Sequence, residues 1–197
     1  MTRNVTESVG GMEQIIHHEV CRRTHGGVLY SVSTLLREEL MPLDFEALDH
    51  ALYMREALKE AERSLADGDR PIGAVIVHNG KIVGRGRAMH KLRHSQIAHA
   101  EMNALMQAER YLEEQQHEAV LYTTVEPCVM CLGAAVMSDL AAIVYALPDK
   151  NIHPEAMLEM PYVKRHIKHY LGGVLRLESE ALWVRGRPDE LRMLNGG

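Results

Sequence analysis

His99-Ala100-Glu101 and Pro127-Cys128-Val129-Met130-Cys131 lie 29 residues apart, counted from His99 to Cys128, and no other pairing constrains the chain as strongly. That interval accommodates one helix, a loop and one strand. AHAEMNALMQAERYL at 98–112 reads as a helix, VLYTTV at 120–125 as a buried strand, and CVMCLGAAVM at 128–137 as a second helix beginning at Pro127, since proline suits a first helical turn. His99 and Glu101 then open one helix, and Cys128 and Cys131 open the next. Cysteines three apart put both sulfurs on one helical face, within reach of a single ion. The amino end of a helix also favours thiolate over thiol, because its unpaired N–H groups stabilise negative charge.

The surrounding punctuation predicts the remaining elements. Phe45, Leu48, Leu52, Leu58, Ala61 and Leu65 fall at helical spacing, with Asp44 as a candidate cap and Asp67-Gly68 as the stop. GAVIV at 73–77 and KIVGRGR at 81–87 flank His78-Asn79-Gly80, whose Asn-Gly pair favours a tight hairpin turn. AAIVYAL at 141–147 reads as a strand, 159–170 as helical, GGVLRLES at 172–179 as an edge strand, and DELRMLN at 189–195 as a short final helix. Strands alternating with helices need crossover connections. The expected fold is therefore α/β, a three-layer α-β-α sandwich around a mixed five-stranded sheet. Residues 1–42 read as an appendage of unassigned role, and 43–197 as the domain that carries the motifs.

One histidine and two cysteines are three ligands. A structural zinc site normally closes its tetrahedron with a fourth, whereas a catalytic one leaves a position for water. Water held there loses a proton near neutral pH, and a neighbouring carboxylate such as Glu101 can accept it. Cys-x-x-Cys alone would also fit a redox pair or half of a structural zinc site, and Glu101 alone could be an exposed helix-start carboxylate. Together, His99-x-Glu101 and Pro-Cys-x-x-Cys turn the balance towards catalytic zinc.

AHAEMNAL followed by TTVEPCVMCLGA resembles the cytidine deaminase-like superfamily, with tRNA adenosine deaminases, guanine deaminases and fungal-type cytosine deaminases as the nearest branches. The resemblance covers residues 44 to about 150. It implies that His99, Cys128 and Cys131 hold Zn2+ and that Glu101 shuttles protons while an exocyclic amino group is replaced by a carbonyl and ammonia leaves. It also implies the three-layer fold and a homodimer. GRGRAMH departs from the pattern: it sets Ala88 where several related branches carry a base-contacting asparagine, and alanine cannot make those hydrogen bonds. The leading expectation is a free nucleobase, nucleoside or related heterocycle as substrate, with tRNA adenosine as the alternative. A deaminase-like scaffold that binds but no longer reacts is the reading from another class.

The bulk properties bear on partners. With a formal net charge of -5 and a pI near 6.2, the chain has no overall attraction for nucleic acid or an anionic membrane. Three cysteines, an odd number, suit a reducing compartment, and MTRNVTESVGGMEQ lacks the apolar stretch of a secretion signal, so a cytoplasmic protein is expected. YVKRHIKHY at 162–170 could contact phosphate, although a solvated helix face is favoured. Cys21 is expected to be a small buried residue, and Met102, Met106, Met130 and Met137 to fill core gaps. Apart from His99, the histidines mostly carry no special role: His17 and His18 sit in the unassigned N-terminal segment, and His50, His78, His117 and His153 read as surface or turn residues. Asn103 could point into the pocket or bond to backbone.

Overall fold

The computed structural model describes residues 43–114 and 118–196. The readings for residues 1–42, including His17, His18 and Cys21, and for His117 lie outside the described residues. The elements are α1 (His50–Ala66), β1 (Gly73–His78), β2 (Lys81–Arg87), α2 (Ala100–Glu114), β3 (Val120–Val125), α3 (Val129–Met137), β4 (Ala142–Leu147), α4 (Glu155–Leu158), α5 (Pro161–His166), β5 (His169–Leu171), α6 (Arg176–Gly186) and α7 (Pro188–Leu194). The five strands form one mixed sheet in the order β2-β1-β3-β4-β5. β1 pairs antiparallel with both β2 and β3, while β3/β4 and β4/β5 are parallel.

The central strands β1, β3 and β4 are buried on both faces, and their two-residue repeat sorts their side chains. Ala74, Ile76, Leu121 and Ile143 pack with Ala100, Ala104, Leu105 and Leu132 of α2 and α3. Val75, Val77, Val120, Tyr122 and Val144 pack with Met54, Ala57, Leu58 and Ala61 of α1 and with Leu182 of α6. These are the three expected layers.

α2 lies close against β2. Its inward face is Ala100, Ala104 and Ala108, all fully buried, and it rests on Gly84 and Gly86 of β2. A Cβ on Gly86 would stand 2.1 Å from the Ala100 carbonyl oxygen and 2.4 Å from the Ala104 nitrogen.

Several expectations are corrected. α1 begins at His50, capped by Asp49, whose Oδ1 accepts from Leu52 N at 2.9 Å; Asp44 instead accepts from Ala47 N in a preceding turn. The edge strand is His169–Leu171, not 172–179, and the helix expected at 159–170 is confined there to Pro161–His166. Gly173 and Leu175 both have positive φ, which ends the strand and turns the chain into α6. Met106 and Met137 are exposed rather than core fillers. His78 is buried, with Nδ1 at 2.9 Å from the Tyr111 hydroxyl, and is no surface residue.

Candidate metal centre and its cavity

β3 and α2 carry the key side chains to one end of the sheet. Parallel strands leave their carboxyl ends together, and ligand crevices form there in open α/β sheets. His99 immediately precedes α2, its carbonyl accepting from Asn103 N at 3.0 Å, and Cys128 is the extended N-cap residue of α3. The two helix starts face each other across the end of β3.

His99 Nδ1 lies 3.6 Å from Cys128 Sγ and 3.5 Å from Cys131 Sγ, and the two sulfurs are 3.6 Å apart. A tetrahedral zinc bonds sulfur at about 2.3 Å and nitrogen at about 2.0–2.1 Å, which sets such donors roughly 3.5–3.8 Å apart. The donor set therefore fits Zn2+ in spacing and in chemistry, and it is the one group of three or more potential ligands found among the described residues. In the protein alone, Cys128 accepts from the Cys131 thiol and from His99 and is pushed down to about 4. Cys131, which keeps the shared proton, is pushed up by Cys128 and by burial. The bond to Cys128 raises His99 in turn.

Glu101 is almost wholly buried. Its Oε2 lies 3.5 Å from Cys131 Sγ, and Oε1 accepts from the Thr123 hydroxyl of β3 at 2.9 Å. Burial pushes this carboxyl up, against the Thr123 bond, which holds it down. The carboxylate is thus fixed beside the donor set.

A cavity of about 260 Å3 opens onto His99, Glu101 and Cys128. Its walls include Ile72 and His90 from the ends of the hairpin strands, Asn151 from the loop after β4, and Trp183 and Met193 from α6 and α7. At the rim, Arg70 Nε pairs with Glu190 Oε2 at 2.6 Å, and Arg187 holds the other oxygen at 3.2 Å. Asn151 Nδ2 donates to Met193 O at 2.8 Å, tying the same loop to α7.

The sequence-predicted quartet, His99, Glu101, Cys128 and Cys131, is brought together. Ala88 is buried and does not line the cavity; its carbonyl accepts from Ser64 Oγ. Asn103 turns to backbone, donating to Arg87 O at 2.8 Å. Sequence reading passed over Arg70, His90, Asn151, Trp183 and Glu190. No motif announces them, because they converge only when the segments around the hairpin and the C-terminal helices meet at one end of the sheet. Of the basic stretch, Lys164 pairs with Glu159, His166 with Asp139, and Arg165 sits 5.1 Å from the Tyr162 ring centre.

Residues 48–147 match the family described as the cytidine and deoxycytidylate deaminase zinc-binding region. The chain belongs to that family. It is 43% identical over 99 residues to a tRNA-specific adenosine deaminase of Bacillus subtilis, covering 50% of this chain and 62% of that protein, so less than two thirds of the relative's length is matched. A Streptococcus pyogenes tRNA-specific adenosine deaminase is 40% identical over 112 residues, 56% of this chain and 69% of its own. A solved structure from work on A-to-I editing by tRNA:A34 deaminases at the wobble position of transfer RNA superposes with a TM-score of 0.59 and 28% identity, covering 66% of this chain and 97% of that one. The α/β fold, the zinc-compatible cluster and the family agree.

Proposed function

We propose that this protein is a zinc-dependent hydrolytic deaminase that converts the exocyclic amino group of a nucleobase to a carbonyl and releases ammonia. The observation that carries the reading is a buried carboxylate, Glu101, 3.5 Å from one sulfur of a three-donor cluster and opening on the same cavity. His99, Cys128 and Cys131 would hold the metal. When bound there, zinc supplies the Lewis acidity that makes a water a nucleophile near neutral pH.

With a water placed there, Glu101 would take one of its protons, deliver it to the ring nitrogen beside the amino-bearing carbon, and then pass the second proton to the departing amine. Water and substrate are converted to a carbonyl and ammonia with no net proton change at the carboxyl. Thr123 fixes the orientation of Glu101 for both transfers.

The relatives at 40–43% identity make the adenosine of a tRNA anticodon arm the leading substrate to test. A second reading, a free base or nucleoside, is favoured by a cavity walled by α6 and α7. Inosine formation in an anticodon stem-loop and ammonia release from free bases, each measured at 50 and 200 mM salt, separate the two. Activity on RNA falls steeply with salt as counterions compete for phosphate contacts, while activity on an uncharged base does not. Among the described residues no helix is long and apolar enough to cross a membrane. A homodimer and a cytoplasmic location are further parts of this proposal, supported by the superfamily resemblance and by the cysteine usage.

A further inference from the structure

Two polar side chains on the cavity wall are not used by the chemistry above. Both ring nitrogens of His90 and the indole Nε1 of Trp183 are buried without a hydrogen-bond partner among the described residues. Both residues border the cavity that contains His99, Glu101 and Cys128. Buried polar atoms are nearly always paired, so two orphans lining one cavity call for an explanation, and a ligand's own donors and acceptors supply one.

They reach the cavity from separate parts of the fold. Trp183 belongs to α6, beyond the stretch that matches the family, and is 1% exposed among Val125, Leu147 and Leu191, so the indole is fixed by packing. Its N–H is a donor only. His90 follows β2, two residues after Ala88, with its ring 4.9 Å from that of His99. Asp69 Oδ1 is 3.4 Å from His90 Nδ1 but outside hydrogen-bond geometry, and the Asp69 carboxylate is already engaged by the backbone N–H groups of Arg70 and Lys91. The nearby carboxylate favours the tautomer with the proton on Nδ1, which leaves Nε2 as an acceptor.

We infer that His90 and Trp183 read the base, doing together what the alanine at position 88 cannot. His90, whose ring lies beside that of His99, accepts through Nε2 from an N–H at the reacting end of the heterocycle. Trp183, on the wall built by α6 and α7, donates to a ring nitrogen or a carbonyl oxygen. The ligand class is an amino-substituted purine or pyrimidine, presented free or within RNA. This inference rests on the deaminase reading.

The test uses the zinc-loaded full chain with Glu101→Gln, which slows turnover, titrated with adenine, guanine, cytosine and a tRNA anticodon stem-loop. Trp183 is the only tryptophan in the chain, so its emission reports on this wall directly. Saturable change in emission with the ligand that binds is expected. Adding His90→Ala or Trp183→Phe weakens that binding about tenfold by calorimetry, with His90→Gln keeping most of it and circular dichroism unchanged. Calorimetric binding with unmoved emission and unchanged affinity in both variants overturns the inference and leaves the deaminase reading standing. No binding by any of the four probes overturns both.

Discussion

Glu101 is the residue on which the chemistry turns. Exchanging its carboxylate for an amide keeps the shape and the Thr123 contact but removes the proton acceptor. Glu101→Gln is expected to lower kcat by about 10²- to 10⁴-fold while zinc content by elemental analysis stays at that of the wild type. His99→Ala and Cys131→Ala should lose the metal as well as the activity, because each removes one of three donors spaced 3.5–3.6 Å apart. His99, Glu101, Cys128 and Cys131 were legible because their chemistry is local: two short motifs, each at a helix start, with types and spacings that few other roles require. His90 and Trp183 were not. A lone histidine in a turn and a lone tryptophan in an amphipathic segment have many ordinary roles, and only the closed fold shows that both lack partners.

At the scale of elements, α2 is the part that positions the centre, and its seat on β2 is made of small residues. Gly86→Ala drives a methyl into the backbone of α2 at Ala100 and Ala104. The expected cost is about 2 kcal/mol or more, read as a lower thermal midpoint, together with reduced zinc occupancy because His99 moves with the helix. Asp49→Ala, which removes only the cap of α1, should cost about 1 kcal/mol and leave zinc content unchanged. β1, β2, β3 and α3 are placed closely by the sequence pattern, since Asn-Gly at the hairpin and Pro127 at the helix start are strong local signals. The C-terminal part was less legible. GGVLRLES has the composition of a strand, yet Gly172 packs on the Tyr145 ring, Gly173 and Leu175 take positive φ, and α6 follows. Tertiary contact overrides propensity there. The exposed Met106 and Met137 show the same limit, because helical periodicity marks the inward face and does not reveal which outward apolar residues stay uncovered.

For the molecule as a whole, a metal held by His99, Cys128 and Cys131 would join the starts of α2 and α3 at one end of the sheet, so it should stabilise the folded state by mass action. Zinc at about 1,000 times its Kd contributes about 4 kcal/mol, and stripping it with a chelator should lower the melting temperature by roughly 10 °C, with recovery on adding zinc back. A melting curve indifferent to chelation would place the metal elsewhere. The C-terminal helices also belong to the working unit, since α6 and α7 wall the cavity and Glu190 pairs with Arg70 across its rim. The most direct test of the central claim is stoichiometric ammonia release by the zinc-loaded protein from free bases, nucleosides and a tRNA anticodon stem-loop, run beside Glu101→Gln. One ammonia per substrate converted, lost in the variant although its zinc remains, is the predicted result. Undiminished ammonia release by Glu101→Gln, or none from any substrate with zinc bound, would contradict it.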